Sequence, residues 1–276
     1  MAKCLGSWAR APLVLSVIEI GYAKRANFSD EVKALGALQQ SGQYPFVEDG
    51  SVHELKVQTT GDQIQVHTEV TECRVFMNAN RSVAARILPT KLSFFDADYS
   101  GNFRGSTQRL REVLDKWSAA ALALTINEVR VRTLDVACPP EGGKLNSWLS
   151  PKWQAGDLDA SSSRGMAIRD FDRSDGSFHI RVRTIRLKPK QKIAPPPDLM
   201  MAVPVKLPTD LVGPFSRESL IAVVDVERVV KVEGFKLDRL EDVLSTAHDE
   251  ASNGFENVFE RAAIDYFRGT DMTGVA

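Results

Sequence analysis

Asp225 and Glu227 stand two residues apart in the apolar run AVVDVERVV. Residues two apart on a strand share a face, so this pair could hold a cation or serve as acid and base. The same spacing recurs in Arg181 and Arg183, within HIRVRTIRLKPKQK. An ion-pair lattice between the two sets is the stronger expectation, each cross-strand pair contributing about 0.2–1 kcal/mol. If the face were instead a catalytic or small-molecule site, Arg132 would be the third polar group on it.

The stretch 179–192 carries Arg181, Arg183, Arg186, Lys188, Lys190 and Lys192 and no acid. Such a row could neutralise phosphates of a nucleic acid, or it could protect an exposed edge strand from pairing with another chain. Few aromatic residues interleave these charges, so base stacking is poorly served. Trp148 and Trp153 flank Pro151 in a Gly- and Ser-containing neighbourhood. Loop tryptophans can anchor a partner, and they can equally fold back as core plugs.

Other chemistry is not legible. There is no GxGxxG or GxxxxGK[ST] phosphate loop and no HExxH. His53, His67, His179 and His248 are scattered, and Cys4, Cys73 and Cys138 are too far apart for a metal knuckle or a disulfide framework. Neither a cofactor nor a metal is expected. The odd, widely spaced cysteines point to a reducing cytoplasm, and no apolar run approaches the ~18–20 residues that cross a bilayer.

The formal net charge of −1 conceals an uneven layout. Residues 1–128 balance at 14 basic and 14 acidic, residues 129–193 carry 13 against 7, and residues 194–276 carry 8 against 15. Two parts of one protein facing each other, or a binding face, would produce such asymmetry.

The positioning elements follow from periodicity. Pro12–Tyr22 reads as a buried strand, Ser29 as the cap of a helix that Gly42 ends, and 52–95 as short alternating strands with a turn at Gly61-Asp62. Leu110, Val113, Leu114, Trp117 and Ala121 mark a helix capped by Ser106. Ile126–Val136 is a half-wet strand that opens a second set. This set has a helical piece at Lys144–Leu149 and strands at Met166–Phe171, Phe178–Leu187 and Leu220–Val230. A long helical region, Leu237–Phe267, closes it, broken or kinked at Asn253-Gly254. Seven prolines in 188–214 exclude a helix or a central strand there, leaving a long connector. The expected fold is α+β, a pseudo-duplicated β-α-β-β-β-α pattern making a largely antiparallel sheet with helices on one face. Its halves, 1–125 and 126–276, form one integrated domain.

A string of landmarks resembles a sporadically distributed bacterial family of uncharacterised proteins. Pro12, Leu13 and Glu19 look like its opening strand, although Leu15 stands where an acid is usual. Tyr99 and Phe103 are similar to its Y-x-x-x-F entry to the central helix. Arg132 fits its arginine-rich strand, with Thr133 and Asp135 replacing Tyr and Asn. Asp225 and Glu227 look like its D-x-D strand, and His248 and Phe255 its L-H-x6-F helix. The resemblance implies no reaction or cofactor. Its patchy occurrence implies an accessory role, such as toxin neutralisation or defence. The expected function is therefore a non-enzymatic binding or regulatory protein whose partner is another protein. It would use the sheet face or the Trp148–Trp153 loop; nucleic acid on 179–192 is the first alternative and a small-molecule site the second.

Overall fold

The computed structural model describes residues 12–270 except 34, 61–62, 99–102, 121–123, 141–143, 155–163, 197–198, 200–202, 209–211, 214, 216 and 236. At 54–60, 63–65, 67, 120, 164 and 235 it describes the backbone alone. The Gly61-Asp62 turn, Tyr99 and Ala121 thus lie outside the described residues.

Among the described residues nine strands form one antiparallel sheet. They are β1 (Leu13–Tyr22), β2 (Phe46–Thr60), β3 (Gln63–Met77), β4 (Val83–Ile87), β5 (Lys91–Asp96), β6 (Ile126–Ala137), β7 (Arg164–Arg173), β8 (Gly176–Leu187) and β9 (Ser219–Phe235). Their order across the sheet is β2-β3-β4-β5-β1-β6-β9-β8-β7. The α-helices bounded within the described residues are α1 (Phe28–Lys33), α2 (Gly36–Gln40), α3 (Phe103–Ala120), α4 (Leu240–Glu256) and α5 (Arg261–Arg268). The fold class is thus α+β as the periodicity implies. Five strands precede α3 and four follow it, so the two sets are not equal units.

Several local expectations change. Within the stretch 52–95 that reads as short strands, Gln63–Met77 is one continuous long strand, β3, paired with β2 from Phe46↔Met77 to Thr60↔Gln63. Ser29 lies inside α1, whose first amides, of Asp30 and Glu31, donate to the Asn27 carbonyl. Ser106 is likewise inside α3, and its hydroxyl donates to Asp96 rather than capping the helix by accepting from one of its amides. Gly42 does follow α2 in the left-handed conformation, φ 75°.

The long C-terminal helical region breaks after Glu256, not at Asn253-Gly254. Gly254 serves packing instead. A β-carbon there would run into the Phe178 ring on β8, so its absence lets α4 lie close on the sheet.

Alternation along the strands separates two faces. On one, Ile18, Ile20, Val129 and Val131 pack under Leu110, Val113, Leu114 and Trp117 of α3 and Leu244 of α4. Ile180, Val182, Val224 and Val226 pack there under α4, α5 and the two tryptophans. On the other face, Val17, Phe95, Leu134, Val136 and Val223 are covered by Ile193, Leu199 and Val205 of the proline-rich connector. The expectation of no helix there is corrected in part, since Val203 and Val212 donate back to the Leu199 and Pro208 carbonyls in short helical turns. The segment stays out of the sheet, supplies apolar side chains and roofs one end of the face the helices leave bare.

Candidate functional site

The uncovered part of that second face holds the candidate site. β1, β6, β9 and β8 are neighbours, and strand alternation brings Glu19, Arg130, Arg132, Asp225, Glu227, His179 and Arg181 to one surface. The register sets Glu19 opposite Arg130, Arg132 opposite Glu227, Asp225 opposite Arg181, and Glu227 opposite His179. Opposite charges thus alternate from strand to strand.

The strongest contacts are diagonal, as long side chains on a twisted sheet allow. Arg132 donates from Nε and Nη2 to the two oxygens of Asp225, at 2.8 and 2.7 Å. Both residues are buried, and this planar two-point geometry is the form a guanidinium suits best. Arg130 donates to Glu227 at 3.1 Å and to Glu128 at 3.3 Å, and its Nε lies 3.5 Å from Glu19. Glu19 accepts from the Ser93 hydroxyl at 2.7 Å and faces Lys91 at 3.4 Å. Burial by itself would raise the Glu19 carboxyl, but Lys91, Arg130, the Ser93 hydroxyl and Arg86 outweigh it and hold it below the usual range. His179 closes the row, Nδ1 lying 2.7 Å from Asp170 and Nε2 2.9 Å from the Ser177 hydroxyl.

The expected partnership of Arg181 and Arg183 with the carboxylates is realised only in part. Arg181 lies 3.5 Å from Asp225, a secondary contact beside the Arg132 pair. Arg183 donates to the Ala194 carbonyl at 2.8 Å and so tethers the connector. Arg186 pairs with Glu218 at 3.1 Å, and Lys188 is exposed where the connector begins. β8 is not an edge strand, being paired to β9 on one side and β7 on the other. Edge protection therefore does not explain its arginines, and the basic residues of 179–192 do not line one surface.

Trp148 and Trp153 are both buried, in the cluster under α4 and α5. Trp148 lies edge-on to Phe267, and the Trp153 indole donates to the Asn257 carbonyl at 3.1 Å. They plug the core and offer no contact surface. Among the described residues no group of three His, Cys, Asp or Glu could hold a metal ion, and no helix is long and apolar enough to cross a membrane.

Three buried polar features escape the sequence reading. Arg228, on the helix-covered face of β9, donates to both oxygens of Asp175 (2.7 and 2.6 Å) and to Glu250. It joins the β7–β8 turn to α4, and its signal was a charge in phase with Val224, Val226 and Val230. Asp96 accepts from Ser106 and Arg109 and fixes the start of α3 against β5. Asp135 lies in phase with Val129, Val131 and Ala137. Burial, with Asp225 close by, pushes its carboxyl up to about 7 against the opposing Thr133 hydroxyl. On the same side of the sheet the His248 ring stacks on Phe103 at 3.8 Å, and burial pulls that imidazole down to about 4.

No family model matches this chain, and no curated protein is significantly similar to it.

Proposed function

We propose that this chain is a non-enzymatic binding protein that presents the open face of its sheet to another protein. The observation that supports this reading is the alternating row Lys91–Glu19–Arg130–Glu227. The buried carboxylates of this face are neutralised, Asp225 by Arg132 and Glu227 by Arg130, whereas a catalytic carboxylate would have to remain available to substrate. The wet charges of this face include Lys91, Glu128 and Arg130, which keep 30–35% of their side-chain surface, and Arg181, which keeps 38%. Rim charges of mixed sign on a rigid sheet select a partner by complementarity more than by raw affinity. An accessory role in toxin neutralisation or defence belongs to the same reading.

The test is co-purification of the tagged chain from the cells that encode it, at physiological salt and after nuclease treatment. A protein should be retained, and Lys91→Glu combined with Glu128→Lys, which inverts the rim order without changing net charge, should release it. Finding no protein partner, or one indifferent to the inversion, would sink the proposal. A partner lost on nuclease treatment would favour nucleic acid instead.

A further inference from the structure

The large apolar side chains left exposed among the described residues gather at the two ends of the sheet. Phe46, Val66 and Val70 are on β2 and β3; Met166, Ile168 and Phe171 are on β7. Neither end is ordinary surface.

At the first end, β4 pairs with β3 only over Arg74–Met77, whereas β2 and β3 pair with each other out to Thr60↔Gln63. The outer eleven residues of β3 therefore belong to a two-stranded ribbon reaching about 36 Å past the sheet, at ~3.3 Å per residue. Val66 and Val70, four apart, share one face of it and are 59% and 57% exposed. A two-stranded ribbon on its own is marginal in water, and its exposed valines make a covering surface the natural complement. At the second end, Met166 and Ile168 are 59% and 52% exposed on the edge strand, directly opposite Arg183 and Arg181.

The two ends are also opposite in charge. Residues 46–77 carry six acidic and two basic residues, while 164–187 carry six arginines against three aspartates. Apolar exposure and charge of opposite sign thus occur at opposite ends of one chain, as a surface and its complement would.

We propose that the β2–β3 ribbon of one copy docks on the β7–β8 corner of a second copy, reciprocally. Reciprocity follows from area. One ribbon face of about 36 by 10 Å has a footprint near 350 Å², short of the roughly 800 Å² per partner of a stable interface. Exchanging both ribbons gives each copy two such contacts and approaches that figure. The assembly is then closed, and neither apolar end remains free to propagate a chain of copies.

The oligomeric state of the full chain tests this, by sedimentation or light scattering at about 100 μM. The chain should be dimeric, and Val66→Lys/Val70→Lys and Met166→Lys/Ile168→Lys should each weaken self-association by at least about tenfold. All four positions are exposed, and unchanged thermal melts of the separated variants verify that each still folds. Mixing the two variants should give association stronger than either variant alone but weaker than wild type, because a mixed pair keeps one of the two ribbon–corner contacts intact. Raising the salt should weaken the wild-type dimer. A monomeric wild-type chain, a variant that self-associates as tightly as the wild type, or a mixture that associates no better than either variant alone would each overturn the proposal.

Discussion

Among the described residues, Asp135 is a buried carboxyl with no cation acting on it, whereas Asp96, Asp225 and Glu227 each pair with an arginine. Its folded-state pKa lies near 7, against 3.8 for the unfolded chain. Between those values the folded protein holds a proton that the unfolded chain has released, so stability falls as pH rises from about 4 to 7 and levels off above. Asp135→Asn keeps the shape and cannot ionise. It should match the wild type in urea midpoint at pH 4 and exceed it at pH 8 by on the order of 3 kcal/mol. Equal midpoints at pH 8 would show that the carboxyl is not held protonated. Arg132 and Asp225 obey the contrary rule, each burying a charge that the other cancels. Arg132→Ala should cost about 3–5 kcal/mol by orphaning Asp225, whereas Arg132→Met with Asp225→Leu should cost far less. Denaturant unfolding of the single and double variants separates the two cases, and similar losses in both would mean the pair itself holds the sheet together.

Among the elements, α4 shows how packing can overrule propensity. Glycine in a helix interior is unfavourable by roughly 1 kcal/mol relative to alanine, so Gly254→Ala should stabilise an isolated helix. Here the new methyl meets the Phe178 ring, and overpacking of that kind costs about 1–3 kcal/mol. A lowered melting temperature for Gly254→Ala, recovered in part by Phe178→Leu, is the expected result. A raised one would mean that α4 can lift from β8 at no cost. The connector 188–214 is the other informative element. Proline content removes it from the sheet, but Ile193, Leu199 and Val205 make it the cover of the second face.

The whole molecule is organised by the β1–β6 pair, which joins residues 1–125 to 126–276 in the middle of one sheet. Separating the halves would expose two long central edges together with the apolar rows of both faces. The intact chain is therefore expected to unfold in one transition, with circular dichroism and tryptophan fluorescence coinciding. The two halves expressed apart should not reach the folded state alone. A half that gave a cooperative melt of its own would disprove this integration.

Local pattern suffices for much of this molecule. The alternation of AVVDVERVV and of Ile126–Val136 already marks strands with one face wet, and the spacing of Leu110, Val113, Leu114 and Trp117 marks a helix. The pairing of carboxylates with arginines on that wet face follows from the same alternation, because period-two spacing is a property of the chain alone. Which arginine meets which carboxylate is not. β6 and β8 both flank β9, and Arg132 rather than the directly opposite Arg181 takes Asp225 because the twist turns the β6 and β9 side chains diagonally toward each other. Likewise β8 has strands on both sides only because β7 folds back beside it, so its arginines could not be told from an edge guard in advance. Trp148 and Trp153 read equally as anchors or as plugs until α4 and α5 close over them. Periodicity records which side of an element is apolar; strand order and the covering layer decide what that side meets.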